Sequence, residues 1–455
     1  MTRMNRRQFL DASEKVGLGL TAGMTILADA RSARAYVAND KITMAMIGAG
    51  GRAGSLGPQF AERGDCEFAY VCDVSAKSAE GLAKKIGDIQ KKPPKAIQDL
   101  RKMLEDKSVQ AVVIATPDHW HALGTIWACQ AGKDVYVEKP PTHNCWEGKK
   151  MIEAAKKYNR VVQVGTQNRS AKYNMTAKKY LQDGKLGNVY FARIFNMKSW
   201  PNVPMAPDSA TPPGLDWDMW NGPAPLGKYN ATYHRRWNHF WRYSSGDIIN
   251  DGIHQIDLAR WVLGIEYPKS VYCSGARYEK NGAFETPDTQ MVIYDFDNMT
   301  VNFELTLFTP YMLKIAPNIR ESLTEWPYWP QCATRIEIYG TKGLMILGRH
   351  GGGWQVFDRP YHEKPVIIDQ DNGKFPDPEH KENFVQAVRR QQAPNAPIEE
   401  GHKSVLMAHY ATISYRLGGQ KLTIDRQTEE IMGNPEAVKY FKREYREPWV
   451  IPEQV

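Results

Sequence analysis

Lys41-Ile42-Thr43-Met44-Ala45-Met46-Ile47-Gly48-Ala49-Gly50-Gly51-Arg52-Ala53-Gly54 joins a short apolar run to a glycine-rich turn, and a helix-like segment follows through Arg63. Strand, tight turn and helix in that order form the opening of a dinucleotide-binding unit. Gly48 permits the turn, Gly50 with Gly51 and Arg52 lets main chain approach a pyrophosphate, and Ala53 with Gly54 brings the helix close to the sheet. The helix N-terminus then offers N–H donors and a partial positive charge to the phosphates. A second strand, Glu67 to Cys72, ends at Asp73, about 20 residues past the glycines, where an acid accepts hydrogen bonds from the adenosine ribose. An acid there disfavours a 2′-phosphate, so NAD is the expected cofactor; NADP is possible because Arg52 and Lys77 could offset it. Asp73 also suits the N-terminus of the helix that starts near Ser75.

The same alternation continues outward. A strand from Val109 to Ala115 ends in Thr116-Pro117-Asp118-His119-Trp120-His121, and a helix runs to Gly132. The strand Lys133 to Val137 ends in Glu138-Lys139-Pro140-Pro141, then come a helix near Trp146 to Tyr158 and a strand Val161 to Gly165. Alternating elements of this length predict an α/β Rossmann fold with a doubly wound parallel sheet. Ligands of such sheets sit at the carboxyl ends of the strands, which assigns Thr116, Trp120, His121, Glu138 and Lys139 to the cofactor crevice. Pro140 stops the strand and fixes the chain just after Lys139.

Beyond Gly165 the pattern changes to runs of strands: Val189 to Met197, Lys269 to Tyr278, Gln290 to Phe296, Val301 to Phe308, Thr334 to Tyr339 and Leu344 to Leu347. They predict a C-terminal α+β domain with a large open, mostly antiparallel sheet. An aromatic, proline-bearing insertion from Trp200 to Tyr243 lies between them, and helices near Glu379 to Gln391 and His402 to Leu417 follow. The expected domains are a leader at 1–35, the nucleotide domain at 36–165, the α+β domain at 166–425 and a tail at 426–455.

A chain of 455 residues suits two domains. Residues 1–35 hold six Lys/Arg and three acids, so the formal charge of +8 falls to about +5 for the remainder. No basic stripe is interleaved with aromatics, which argues against nucleic acid as a partner. Asn5-Arg6-Arg7-Gln8-Phe9-Leu10, an uncharged run from Val16 to Ala28 and Ala33-Arg34-Ala35 read as a twin-arginine export signal. The expectation is an exported, periplasmic protein without a membrane span. The six cysteines have neither C-x-x-C pairing nor zinc-finger histidines, so no metal is expected and disulfides are not predicted.

Chemistry concentrates in Gly246-Asp247-Ile248-Ile249-Asn250-Asp251-Gly252-Ile253-His254-Gln255-Ile256-Asp257. Helical spacing sets Asn250 and His254 side by side on one helix face. His254 could take a proton from a hydroxyl while Lys139 polarises or protonates the same oxygen. In the insertion, Trp217, Trp220, Trp237, Trp241 and Tyr243 offer flat faces for sugar C–H surfaces, or packing for an oligomer. The leader, the Gly48 loop, Asp73, Thr116-Pro117 with His121, Glu138-Lys139-Pro140 and Gly252-Ile253-His254 resemble, in this order, the Gfo/Idh/MocA family of NAD(P)-dependent sugar oxidoreductases. The resemblance implies Lys139 and His254 as catalytic residues. It places Gln167 and Arg169 near nicotinamide or substrate, a small carbohydrate-like substrate, and a homo-oligomer, dimer or tetramer, formed through the open sheet. Trp217, Tyr243 and Asn250 join Arg169 and His254 as expected substrate contacts. Many members carry an aspartate four residues before the histidine, where this chain has Asn250, and an amide cannot accept the proton. The expected activity is oxidation of a secondary hydroxyl of a sugar, cyclitol or glycoside with a tightly held, recycled cofactor. The alternatives are an NAD-dependent glycoside hydrolase, disfavoured by Lys139, and a cofactor-dependent sugar-binding protein without turnover, motivated by Asn250.

Overall fold

Six parallel strands bring their carboxyl ends into one row. The computed structural model describes residues 41–200, 202–358 and 364–455, and the expected leader at 1–35 lies outside the described residues. The strands are β1 (Ile42–Ile47), β2 (Cys66–Cys72), β3 (Lys95–Ile97), β4 (Ala111–Ile114), β5 (Asp134–Val137) and β6 (Val162–Val164), in the order β3-β2-β1-β4-β5-β6. Register pairs Ile47 with both Cys72 and Ile114, and Ile114 with Val137. The residues that follow, Gly48, Asp73, Ala115 and Glu138, therefore emerge along one edge, at the point where strand order reverses. β4 and β5 are buried at every position, as a parallel sheet covered on both faces requires. Each such aliphatic side chain contributes roughly 1.5–3 kcal/mol of burial.

Two local features lie beyond the expectation. The structure adds an edge strand at Lys95–Ile97; three residues after Pro93-Pro94, one exposed and two half-buried, are too few to show a pattern. The close helix approach belongs to buried Ala53 and to Gly57, where a Cβ would stand 3.4 Å from Met46 Cε of β1 and 2.7 Å from Ile86 Cδ1 of the next helix, whereas Gly54 faces open space.

The second sheet has ten strands: β7 (Val189–Met197), β10 (Ser270–Ala276), β11 (Thr289–Asp295), β12 (Thr300–Thr306), β13 (Arg335–Gly340), β14 (Gly343–Gly348), β15 (Trp354–Phe357), β16 (Ile367–Asp371), β17 (Leu422–Ile424) and β18 (Ile431–Met432). The two-residue strands β8 (Asp208–Ser209) and β9 (Tyr229–Asn230) pair with each other inside the aromatic insertion. In the order β16-β15-β14-β13-β7-β12-β11-β10-β17-β18 only β7 and β12 run parallel. Alternation is clear in the middle: Val271, Cys273, Val292, Tyr294 and Phe303 join one core with the helices Gly252–Leu263 and Ile398–Arg416. On the opposite face Tyr272, Met291 and Ile293 are exposed.

The expected tail at 426–455 is not separate. Ile431–Met432 is an edge strand, and Trp449, Ile451 and Val455 are buried in the core of the nucleotide-type sheet. All six cysteines are buried and unbridged. Among the described residues no helix is long and apolar enough to cross a membrane, and no cluster of three or more His, Cys, Asp or Glu is placed to hold a metal.

Candidate active site

The glycine turn lies at the rim of a cleft of about 320 Å³ lined by Gly48, Gly50, Gly51, Arg52, Asp73, Thr116 and Trp120, with Trp220, His234 and Trp237 from the insertion. Gly48 is at φ +93°, and a Cβ there would lie 2.7 Å from the Ala115 carbonyl oxygen. Only glycine fits that contact and that backbone region. Gly50 and Gly51 have nothing within 4 Å of an added Cβ, so the cleft side of the turn is open to a ligand. Asp73 accepts hydrogen bonds from the Ala49 N–H at 2.7 Å and the Ser75 N–H at 2.8 Å, bracing the turn from below. The N-cap of the following helix is Ser75. Thr116 Oγ1 is buried without a partner in the same cleft. These features fit a dinucleotide: a free glycine edge for pyrophosphate, a carboxylate near the ribose end and an unused hydroxyl.

A second cleft, of about 360 Å³, shares Arg52, Ala115, Thr116 and Trp237 with the first and continues to Asp118, His121, Glu138, Lys139, Gln167, Asn250, His254 and Arg349. Glu138 accepts the Arg52 Nε–H at 2.7 Å, and Arg52 also pairs with Asp377 at 2.9 Å. With two carboxylates already on it, Arg52 has little charge left for a 2′-phosphate, in keeping with NAD. Gln167 donates to Tyr136 Oη at 3.3 Å and reaches Glu138 at 3.5 Å. His121 lies between the carbonyl oxygens of Thr116 and Pro140, at 3.0 and 2.6 Å, and so clamps the turn after Lys139. Trp120 donates its indole N–H to the Met219 carbonyl at 3.0 Å, tying the insertion to the cleft.

Lys139 is the centre of this wall. Its Nζ donates to the main-chain carbonyl of Asn250. Burial lowers its pKa, against opposition from Glu138, Asp251 and Asp118. His254 is 5% exposed with Nδ1 unpartnered. Burial first, then the positive charges of Arg349 and Lys139, hold its pKa well below the usual imidazole range, so the ring is neutral and able to accept a proton.

Asn250 and His254 do share the cleft, but not by lying on one helix. The helix Asp247–Asn250 ends at Asp251, and a new one begins at Gly252. The break turns Asp251 into a salt-bridge hub for Arg349 at 2.6 Å and Lys198 at 2.8 Å.

Three expected substrate residues are placed elsewhere. Arg169 is 2% exposed and its guanidinium is taken by Asp257, at 2.9–3.0 Å, and Glu400 at 3.3 Å. It locks two helices instead of lining the cleft. Trp217 stacks on Trp220 at 4.6 Å between ring centres and donates to the Gly227 carbonyl. Tyr243 is fully buried and donates to Asn221 at 2.8 Å. Both form an aromatic core behind the cleft, and Trp237 supplies the face that Trp217 was expected to give.

Two cleft residues were not singled out from sequence. Asp118, fully buried, accepts from Ser244 Oγ at 2.6 Å and faces Asn250 Nδ2 at 3.5 Å. Burial raises its pKa to about 7. Its only signal was its place two residues after Thr116 at a strand end. Arg349 follows β14 and precedes Gly351-Gly352-Gly353, all at positive φ. A glycine triplet directly after Arg-His signals such a loop, but not its partner Asp251.

Residues 42–166 match the oxidoreductase family with NAD-binding Rossmann fold, 174–346 the GFO/IDH/MocA C-terminal domain, and 348–451 the oxidoreductase family C-terminal alpha/beta domain. The chain belongs to the GFO/IDH/MocA oxidoreductase family. Among curated relatives, myo-inositol 2-dehydrogenase of Thermotoga maritima is 22% identical over 84% of this chain and 98% of its own length. Levoglucosan dehydrogenase of Pseudarthrobacter phenanthrenivorans is 31% identical over 36% of each chain, so this chain matches about a third of that relative's length. A solved structure of levoglucosan dehydrogenase with NADH and levoglucosan superposes at TM-score 0.61 with 18% identity, covering 84% of this chain and 99% of that one. The GFO/IDH/MocA order of a six-stranded nucleotide sheet followed by a large mixed sheet is the architecture described above.

Proposed function

We propose that this chain oxidises a secondary hydroxyl on a sugar, cyclitol or glycoside, and that it acts after twin-arginine export with NAD loaded beforehand and held. One observation carries the reading: Lys139 and neutral His254 meet on the wall where the open glycine trough continues into a second, polar cleft. The relatives named for levoglucosan and myo-inositol supply the substrate class.

When bound, NAD supplies the acceptor for the hydrogen on the carbinol carbon. Lys139, held by the Asn250 carbonyl, orients and polarises the substrate oxygen. His254 takes the hydroxyl proton, and burial, reinforced by Arg349, keeps its ring neutral until then. Asp118 fills the place that Asn250 leaves without a carboxylate: by facing Asn250 Nδ2 it turns the amide oxygen toward the cleft as an acceptor for a substrate hydroxyl. The exposed Tyr272, Met291 and Ile293 on the outer face of the large sheet support a homo-oligomer through that face.

The test is mass spectrometry of the purified protein for co-purifying NAD or NADP, then a screen of sugars, cyclitols and glycosides against the loaded form, with NADH absorbance and released aglycone both recorded. The expected result is bound NAD and turnover lost in Lys139→Ala and His254→Ala. Aglycone release without any NADH signal would point to the hydrolase; absence of nucleotide with no binding on addition would overturn the proposal.

A further inference from the structure

A third cleft, of about 400 Å³, is lined by Arg242, Arg416, Arg443, His143, His409 and Thr412, among others. None of the three guanidinium groups makes an ion pair among the described residues, in contrast to Arg52, Arg169 and Arg349, each of which does. Arg416 is held between the rings of Trp241 and Tyr440, at 4.8 and 4.3 Å from their centres. Arg443 donates through one terminal nitrogen to the Pro223 carbonyl at 2.9 Å, while Nη1 is buried with no partner. His143 Nδ1 and Thr412 Oγ1 are likewise buried and unpartnered in this cleft.

One carboxylate, the exposed Glu444, lines the cleft without an ion pair to any of the three arginines, and two others close by are engaged elsewhere. Glu147 is occupied by the His143 N–H at 2.6 Å, the Asn144 amide at 3.0 Å and Tyr445 Oη at 3.1 Å. Glu285 accepts the Trp241 N–H at 3.1 Å. On the rim, Lys439 and Lys442 are turned to Glu436 and Glu453. Three guanidinium groups without an ion pair, one of them with a buried unpartnered Nη1, surround a concave space together with the unpartnered His143 Nδ1 and Thr412 Oγ1, and form a mould for a negative group that accepts several hydrogen bonds.

We propose that this cleft binds a tetrahedral oxyanion, as the free ion or as the sulfate or phosphate group of a sugar ester, separately from the dinucleotide. Arg443 and Arg416 would hold its oxygens, and Trp241 would face the organic part of an ester.

The test is calorimetric titration of the NAD-saturated protein, in chloride buffer of constant ionic strength, with inorganic sulfate, inorganic phosphate, a hexose sulfate and a hexose phosphate. Saturating NAD closes the glycine trough to these anions, and the arginine variants locate binding even if the dinucleotide reading fails. One saturable site is expected. Arg443→Gln, Arg416→Gln and Arg242→Gln should each weaken it about tenfold or more, as loss of a charge-assisted hydrogen bond does. Equal affinity for ion and ester means that the site reads the oxyanion alone; tighter ester binding means that its walls also read the sugar. If Arg443→Gln does not fold, the other two variants decide. No saturable binding of any probe, or affinity unchanged in the folded variants, overturns the proposal.

Discussion

The helix Gly252–Leu263 carries two buried charge clusters one turn apart, and they differ in how completely they are satisfied. At Asp257, the carboxylate takes Arg169 in a two-pronged pair and also accepts from Ser404 Oγ at 2.6 Å, while Arg169 has Glu400 as a second partner. At His254, the imidazole keeps a bare Nδ1, Arg349 keeps a bare Nε, and Lys139 is held only by a main-chain carbonyl among hydrogen-bond partners. A cluster that uses all its donors and acceptors internally is a fastener; one that leaves them open beside a cleft is prepared for a ligand.

Removing groups from the open cluster should sharpen that contrast most. Lys139→Ala and His254→Ala should each lower kcat by on the order of 10²–10⁴-fold, followed as NADH formation, with little change in unfolding midpoint. Arg169→Met should do the opposite: a loss of about 3–5 kcal/mol in denaturant unfolding, because Asp257 stays buried and unpaired, with kcat of the folded fraction within a few-fold of wild type. A large kcat loss in Arg169→Met at unchanged stability would collapse the distinction.

Asp118 gives a test by pH. Its pKa rises from 3.8 to about 7 in the folded chain, so the folded state keeps a proton that the unfolded state has released. Stability relative to Asp118→Asn should therefore be level below about pH 4, fall by at most about 1.4 kcal/mol per pH unit up to about pH 7, and be level above. A difference that rises with pH would contradict the buried carboxyl. The smallest effect is expected from moving the carboxylate by one side chain: Asn250→Asp alone should change kcat by less than about tenfold, yet restore turnover lost in Asp118→Asn. No recovery in the double variant would separate the two positions functionally.

The nucleotide half was legible because its signals are local. Gly48, Asp73, Thr116 and Lys139 each end a strand, and parallel register then aligns strand ends in space. The large sheet was legible in its middle, where β10 to β12 alternate, and missed at its edges, where β15 to β18 are short or partly exposed. In the site, Lys139 and His254 were readable from their motifs, whereas Arg169 was misplaced because its partner, Asp257, is 88 residues away. Trp217, Tyr243 and Trp237 are chemically alike in sequence. Which of them faces the cleft depends on how one short helix, Trp217–Asn221, packs on Trp120.

The return of distant segments to the first sheet has a consequence for engineering. The Val164 N–H donates to the Ala396 carbonyl, His380 lies against the Val164 carbonyl, Asp377 holds Arg52, and Trp449 packs on Trp120 and Trp127. The dinucleotide half is thus not a transplantable cassette. A chimera cut after residue 165 would inherit a glycine turn whose arginine lacks its second carboxylate and a sheet whose last strand lacks its cover. Exchanges of specificity between relatives should therefore be made at the loops around the clefts rather than by swapping contiguous halves.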